Sequence, residues 1–432
     1  MTRSTRARGR VLAFAFLLSL ITYLDRICIS AAAPFIMADL QLTVLQMSAV
    51  FSAFTLAYSI FEIPSGWLAD VHGPRRVLTR IVLWWSAFTM LTGAATGFGS
   101  LLSIRFLFGA GEAGAFPTIA RSFSRWFPRR ERGTANGVLF LGSRMGGMLS
   151  APLALLLIRG WGWRAAFVVF GAIGIAWAAA WYIWYRDRPS EHPAVNIAER
   201  AWIEQDGDAG QAESGTPWRA LLASRNLYAI CAMYFAFGYG LYFYFTWLPT
   251  YLIRELGFSV LAGGLLSALP FALAGVADLT GGWLTDRLAR TRGLRVARCG
   301  LGSAAFLTSG VLVIASTLAP HAISKALLLA LALASADLAL GACWAVCLDV
   351  GSAHAGVVTG FMNTFGNVGG LIGPLVVGIA VDRWHSWTFP FYVTAFVYAM
   401  GAVAWLSIDP NRHIRGTDTP QVSTGVRGEG EI

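Results

Sequence analysis

The five residues Gly66-Trp67-Leu68-Ala69-Asp70 return 216 positions later as Gly282-Trp283-Leu284-Thr285-Asp286, and this repeat decides the fold. At the same offset Glu62 falls on Asp278. Other positions also match, namely Leu40, Val44 and Leu45 with Leu256, Val260 and Leu261. Similarity at one fixed offset over separate stretches indicates two copies of one structural unit. We therefore predict a chain built from two similar halves.

The composition places this unit in a lipid bilayer. Of the 432 residues, 56% are hydrophobic and 13% are charged, whereas soluble domains carry about 25% charged residues. The net charge of +10 does not indicate nucleic acid, because the basic residues stand in short clusters between apolar runs. The five cysteines show no paired ligand spacing, so we expect neither disulfides nor a metal site.

The apolar runs predict the number of membrane spans. A bilayer core about 30 Å thick needs roughly 20 helical residues. Twelve runs meet this length, near 11–37, 44–69, 77–97, 100–124, 134–158, 164–185, 225–252, 260–285, 297–318, 322–348, 355–382 and 386–407. We predict an all-α membrane protein with 12 transmembrane helices, arranged as two pseudo-symmetric six-helix bundles.

The hydrophilic segments set the domain boundaries and the orientation. We predict a first bundle over 1–190, a cytoplasmic linker over 191–224, a second bundle over 225–410 and a disordered cytoplasmic tail over 411–432. Most basic residues fall in the termini and on the same side as the linker; the exceptions outside the spans are Arg159, Arg164, Arg254, Lys325 and Arg383. Because basic loops remain cytoplasmic, both termini are predicted to be cytoplasmic.

Two parallel six-helix halves describe the major facilitator architecture, in which substrate binds near the midplane between the halves. The loop from Gly66 to Arg76 closely resembles the signature loop of that superfamily. Carboxylates and guanidiniums at a helix end can pair in one conformation and separate in another. We expect a cytoplasmic gate of this kind, formed by Gly66, Asp70, Arg75, Arg76, Asp286 and Arg287; a solvated basic loop is the alternative.

Four charged residues interrupt the apolar spans of the first half. Asp25 and Arg26 lie in the first span, and Arg105 and Glu112 lie seven residues apart on one face of the fourth. A charge at the bilayer centre costs about 3 kcal/mol, so it needs a partner or a task. Two acids facing two guanidiniums form a protonation switch, in which a proton leaves one guanidinium free for an organic anion. Static buried ion pairs are the alternative.

Other polar and aromatic residues complete the predicted cavity. Arg144 in the fifth span adds a positive charge without an evident partner; it either grips a second acidic group or pairs with Glu62, Asp278 or Asp337. We also expect substrate contacts from Tyr23, Tyr58, Tyr242, Trp344, Asn363 and Asn367. The amides are the strongest of these, because buried amides in membrane helices need partners.

Glycines and prolines recur in the fifth and eleventh spans. At an offset of 222, Gly147 and Pro152 fall on Gly369 and Pro374. Small residues allow helices to approach closely. We therefore expect these glycines to shape the bundles rather than to bind substrate.

Several of these motifs resemble the anion:cation symporter family of the superfamily. The similar stretches are Tyr23-Leu24-Asp25-Arg26, the segment from Arg105 through Glu112 to Pro117, Phe245-Thr246-Trp247-Leu248-Pro249, and Asn363 to Asn367. The resemblance implies that Asp25 and Glu112 couple protons, that Arg26 and Arg105 hold substrate or partner those acids, and that the Tyr58 and Asn363 region contacts substrate. Glu62 and Arg144 depart from the family, which usually has Gln and a small or polar residue there.

The function predicted from these features is secondary active transport. We expect proton-coupled uptake of an organic anion, such as a sugar acid or another carboxylate, by alternating access in a bacterial inner membrane. The partners would be this anion and the lipid bilayer, with no nucleic acid, and the protein would be a monomer. It would not be an enzyme, and it would need no cofactor besides the coupling proton. An exchanger of organophosphate and phosphate, or a non-transporting sensor, remains the alternative.

Overall fold

The computed structural model describes residues 5–204, 218–351 and 355–412, and within these ranges the chain is almost entirely helical. The α-helices, in chain order, are α1 (Ala7–Asp39), α2 (Val44–His72), α3 (Pro74–Thr92), α4 (Phe98–Glu112), α5 (Ala115–Trp126), α6 (Arg129–Trp184), α7 (Ile197–Glu204), α8 (Trp218–Leu222), α9 (Arg225–Thr246), α10 (Leu248–Thr250), α11 (Val260–Arg292), α12 (Leu301–Leu318), α13 (Ala322–Asp337), α14 (Leu340–Gly351), α15 (Ala355–Trp384) and α16 (Thr388–Ser407). Short π-helical segments follow α10 and precede α12, at Tyr251–Glu255 and Val296–Gly300. The predicted all-α membrane class is confirmed.

The helices correspond to the twelve predicted spans. Within the described ranges, nine helical stretches are long and apolar enough to cross a membrane. One of them, Thr134–Trp184, has 51 residues and contains the fifth and sixth spans. Gly162 separates these two spans with a φ of 81°, a conformation that glycine adopts readily because it has no Cβ. The third span is α3, and the fourth is α4 together with α5.

The same helix pairs pack together in both halves of the chain. In the first half, α1 packs along the early part of α6 and α2 packs along α4; in the second, α9 packs along α15 and α11 along α13. In the repeat, the pair α1 and α6 corresponds to α9 and α15, and the pair α2 and α4 corresponds to α11 and α13. The sequence repeat is therefore also a repeat of tertiary packing. The most extensive packing between the halves is that of α2 with α15 and of α6 with α11, and α1 also contacts α9 and α10.

The two halves are tied together at the end of the molecule where α1 ends and α2 begins, which the charge pattern predicts to be the outer side. Asp382 at the end of α15 accepts hydrogen bonds from the backbone nitrogens of Val44 (3.0 Å) and Leu45 (2.8 Å). Arg254 donates to the backbone oxygen of Pro34 at 2.6 Å. These contacts close the space between the halves at this end.

The first part of the predicted linker is folded. Within it, α7 places the buried Glu199 against the start of α1, where its carboxylate accepts from the backbone nitrogens of Ala7 and Arg8, each at 3.1 Å. A carboxylate at a helix N-terminus pairs with amides that the helix itself leaves free. The linker residues 205–217 and the predicted tail from residue 413 onward lie outside the described residues.

Candidate functional site

A cavity of about 380 Å³ lies between the two halves. Its walls come from α1, α2, α5 and α6 on one side and α9, α11, α14 and α15 on the other. Most of the residues predicted to contact substrate line it, namely Tyr23, Arg26, Tyr58, Arg144, Tyr242, Trp344, Asn363 and Asn367. Further aromatic rings complete the wall, so the cavity is apolar with a few placed polar groups, as small-molecule sites usually are.

Arg26 is the guanidinium that the cavity presents from α1. Its Nε donates to Oε1 of Glu112 at 2.9 Å, and its Nη2 bonds to the same oxygen. The guanidinium carbon lies 4.9 Å from the ring centre of Tyr58, 5.0 Å from that of Phe54 and 5.1 Å from that of Tyr23. Cation–π attraction of this kind holds a partly desolvated guanidinium in place. Glu112 is fully buried, and its Oε2 has no hydrogen-bond partner in the described part of the chain.

Asp25 and Arg105 lie behind the cavity wall instead of facing the cavity. Oδ2 of Asp25 accepts from the indole nitrogen of Trp85 at 3.1 Å, and its Oδ1 has no partner among the described residues. The guanidinium carbon of Arg105 lies 4.2 Å from the ring centre of Phe108. Neither residue lines the cavity. Aromatic packing buries the charge of Arg105 within the first half, so its contact with substrate stays a prediction.

Glu62 is a cavity residue to which the sequence analysis assigned no role. It lies on α2, and its carboxylate accepts from the amide nitrogen of Asn363 at 3.1 and 3.3 Å. One turn further along α15, Oδ1 of Asn367 accepts from the hydroxyl of Tyr242 at 3.5 Å, while its Nδ2 has no partner among the described residues. The sequence repeat could have indicated Glu62, because it places an acid at the same position in both halves. The second of these acids, Asp278, also lines the cavity.

Arg144 has two ion-pair partners in the structure, and its contact with substrate stays a prediction. Its Nε donates to Oδ2 of Asp278 at 2.6 Å, and its Nη1 lies 3.0 Å from Oδ2 of Asp337. Both acids come from the second half, on α11 and α13. The alternative in which Arg144 pairs with aspartates therefore holds, and the pairing crosses the interface between the halves.

The comparison with known proteins identifies the family. The model of the Major Facilitator Superfamily matches residues 15–374. The chain belongs to the major facilitator superfamily. It is a multi-pass membrane transporter and not an enzyme.

Relatives within the superfamily cover nearly the whole chain. A probable sulfoacetate transporter of Cupriavidus necator is 36% identical over 428 residues, which is 98% of each chain. The hexuronate transporter of Bacillus subtilis is 32% identical over 409 residues, 94% of each chain. A probable galactarate/D-glucarate transporter of Escherichia coli K12 is 30% identical over 431 residues, 94% of this chain and 95% of that one. These relatives confirm the resemblance inferred from the motifs.

A solved structure has the same fold. The bacterial homologue of the human lysosomal transporter Spinster, in an inward-facing and unoccupied conformation, superposes with a TM-score of 0.75 at 19% identity, covering 94% of each chain. This similarity establishes the major facilitator fold for the chain.

The residues of the superfamily signature loop make contacts within their own halves. Arg75 donates from Nε and Nη2 to the backbone oxygen of Tyr182, at 3.0 and 2.7 Å, instead of pairing with a carboxylate. Arg76 is exposed. The surroundings of Gly66 and the side chain of Asp70 lie outside what the structure describes. The gate therefore stays a prediction.

In the second half the corresponding loop joins a charged network. Asp286 lies 3.9 Å from the guanidinium of the buried Arg298, which also donates to Asp349 at 2.9 Å. Arg287 lies over the ring of Trp283, 5.1 Å from its centre. The sequence analysis missed Arg298, because this arginine follows Asp286 by twelve residues and belongs to a cluster of basic residues that is typical of a cytoplasmic loop.

Proposed function

We propose that the protein takes up a small organic anion together with protons, by symport across a bacterial inner membrane, with both termini in the cytoplasm. The observation that carries this proposal is the Arg26–Glu112 pair, in which a cavity-facing guanidinium is neutralised by a carboxylate buried behind it. The coupling ion is the proton, and no other cofactor is needed. The protein would work as a monomer.

The charges around the cavity explain why an anion needs a proton. In the described part of the chain, the arginines that line the cavity or lie directly behind its wall are Arg26, Arg105 and Arg144, and the acids there are Asp25, Glu62, Glu112, Asp278 and Asp337. With every acid ionised, three positive and five negative charges leave a net charge of −2. An incoming anion would make this balance worse, and charges in a poorly solvated cavity interact strongly. Protons on the acids remove this barrier.

The Arg26–Glu112 pair supplies the coupling step. A proton on Glu112 cancels the charge that holds Arg26, so the guanidinium is free to bind a carboxylate or sulfonate through two parallel hydrogen bonds. Release of the anion restores the pair and expels the proton, because the two bindings affect each other equally. Asp25, the neighbour of Arg26 in the chain, would relay this proton.

The remaining cavity residues suit a small polar acid. Asn363, Asn367, Tyr58 and Tyr242 offer amide and hydroxyl groups to the rest of the substrate. The names of the relatives fit this class, since sulfoacetate, hexuronate and glucarate all carry acidic groups on small polar molecules. We therefore propose carboxylates and sulfonates of this size as substrates.

Transport into proteoliposomes tests the proposal. Labelled sulfoacetate, glucuronate and galactarate would be offered under an imposed pH gradient, with and without a protonophore. We expect accumulation of at least one anion, abolished by the protonophore. Glu112→Gln should lose accumulation, because glutamine cannot exchange a proton, while the matched control Glu255→Gln at an exposed position should keep it. Accumulation that the protonophore leaves untouched would rule out symport and favour exchange.

Arg26→Lys tests the role of the guanidinium. Lysine keeps the charge but lacks the planar fork that binds an acid group through two hydrogen bonds. We expect the dissociation constant for the transported anion to rise about tenfold or more, since one charged hydrogen bond contributes about 1.5–3 kcal/mol. Thermal stabilisation of the purified protein by the anion measures this affinity. Arg159→Lys, at an exposed position, is the control; unchanged affinity in Arg26→Lys would remove Arg26 from the site.

A further inference from the structure

We propose that Arg144, Asp278 and Asp337 form a second proton site, which lies across the interface between the halves and binds and releases one proton in each transport cycle. This inference rests on the proposed proton-coupled transport. It assigns a role to a cluster that is separate from the Arg26–Glu112 pair and that uses helices of both halves.

The geometry of the cluster shows one cation shared by two acids. Arg144 uses Nε for Asp278 at 2.6 Å and Nη1 for Asp337 at 3.0 Å. The side chain of Asp337 is fully buried, and neither of its oxygens has a hydrogen bond in the described part of the chain. Oδ1 of Asp278 is likewise buried without one. One guanidinium cannot neutralise two carboxylates, so an ionised cluster would bury an uncompensated negative charge.

Among the described residues, no second cation contacts the two aspartates. The titratable groups that face the cluster from the adjoining helices are the phenols of Tyr23 on α1, Tyr234 and Tyr244 on α9 and Tyr398 on α16, and the thiol of Cys343 on α14. Phenols and thiols carry no positive charge in any protonation state, so none of these groups can act as a second cation. Burying an unpaired charge is costly, and such groups bind a proton instead. In the described conformation the two aspartates therefore share one proton.

The position of the cluster couples this proton to the movement of the halves. Arg144 is on α6 and the aspartates are on α11 and α13, and the packing of α6 on α11 is among the most extensive between the halves. Rocking of the halves that separates this pair would withdraw the cation from both acids. The aspartate that was ionised then loses its counter-charge and takes up a second proton. The return movement restores the ion pair and expels that proton.

Access for the proton is provided by the cavity. Arg144 and Asp278 line the cavity, whereas Asp337 lies behind them. The proton on the Asp278 carboxylate can thus exchange with water in the cavity, and Asp337 receives it from its neighbour. Together with one proton at Glu112, two protons move in each cycle. Two protons balance the charge of a dianion, so the site favours dicarboxylates and sulfocarboxylates as substrates.

The number of protons per anion tests the proposal directly. In proteoliposomes, the membrane potential at which net anion flux stops under a fixed pH gradient gives this number. We expect two protons per anion for the unaltered protein and one for the double variant Asp278→Asn/Asp337→Asn, because this variant leaves no carboxylate beside Arg144 to take up a proton when the halves separate. Asp39→Asn, which alters an aspartate at the predicted outer end of α1, should keep two.

The other outcomes are also decisive. One proton per anion in the unaltered protein would overturn the second site and leave the proposed symport intact, while flux independent of the pH gradient would reject the symport itself. If the double variant does not fold, Arg144→Gln replaces it, since without the guanidinium both aspartates keep their protons in either conformation. Two protons per anion in a folded variant of either kind would assign the cluster to structure.

Discussion

Arg26 combines three interactions that no single substitution reproduces. Its charge is balanced by Glu112, its faces are covered by aromatic rings, and its edge is open to the cavity. A buried ion pair seldom stabilises a protein more than apolar packing would. We expect this pair to serve transport because it can be broken and restored. Oε2 of Glu112, which has no hydrogen-bond partner among the described residues, can accept a proton without any rearrangement of the chain.

His192 is a buried residue outside the spans whose protonation is opposed by its contacts. Its Nδ1 accepts from the backbone nitrogen of Ala194 at 3.1 Å, so its Nε2 carries the hydrogen and donates to the backbone oxygen of Trp184 at 3.0 Å. A second proton would have to enter at Nδ1 and would face an N–H group. Burial, with the nearby guanidiniums of Arg186 and Arg10, lowers the pKa of His192 below its usual value.

This lowered pKa predicts a loss of stability in acid. As the pH falls, the unfolded chain binds a proton at His192 near a pH of about 6.5, before the folded protein does. Neutral His192 therefore makes its full contribution to the free energy of unfolding above that pH, and this contribution is lost as the pH falls through the folded pKa. We expect His192→Gln to reduce the fall in melting temperature between pH 7 and pH 5. His321→Gln, in an exposed loop, should match the unaltered protein. Parallel melting curves for the unaltered protein and His192→Gln would contradict the assignment.

At the scale of helices, glycine allows the paired spans of each half to touch. A Cβ added to Gly146 on α6 would lie 2.4 Å from the backbone oxygen of Leu20 on α1, and one added to Gly369 on α15 would lie 2.3 Å from that of Phe235 on α9. The backbones are thus in contact at matching places in the two halves. The expected packing role of these glycines is confirmed, although Gly366 also reaches the cavity wall.

Gly146→Ala should therefore destabilise the first half. The added methyl group must push α1 away from α6, and overpacking of this kind costs about 1–3 kcal/mol. We expect a lower melting temperature in detergent. Gly137→Ala on the same helix is the matched control, because no atom lies within 4 Å of its added Cβ and alanine favours a helix. Equal melting temperatures for the two variants would show that the close approach is not needed.

At the scale of the whole molecule, the cavity is closed at the predicted outer end by hydrogen bonds between the halves. Asp382 accepts two of them from the first turn of α2, where free backbone amides and the helix dipole favour a carboxylate. Arg254 adds a contact to the end of α1. Alternating access requires that these bonds break in another conformation, so they set part of the balance between conformations.

Asp382→Ala should shift this balance toward opening at the outer end. Loss of the two hydrogen bonds is worth about 1–2 kcal/mol, which changes the ratio of conformations about five- to thirtyfold. A cysteine at the buried Ser48 on α2 serves as the reporter, and we expect an impermeant maleimide applied from outside to label it faster by that factor. Asp39→Ala is the control, because Asp39 bonds Arg164 and Trp163 within the first half at the same end. Equal labelling rates would contradict the role of Asp382.

The sequence by itself determined the fold, the membrane class and eight of the residues that line the cavity. Apolar length decides whether a helix crosses a bilayer, and a repeat records symmetry, so both are readable without coordinates. The placement of Arg26 and Asn363 was also readable, since charges and amides in a membrane helix must face protein or cavity.

Only the tertiary structure decided which charges meet. Arg144 contacts Asp278 and Asp337, which follow it by 134 and 193 positions, and Arg105 lies behind the cavity wall against the ring of Phe108. Sequence spacing fixes the face of a residue on its own helix but not the helices that pack against that face. The partners of each buried charge depend on the approach of the two halves, because ion pairs form over a few ångströms between residues that are remote in the chain.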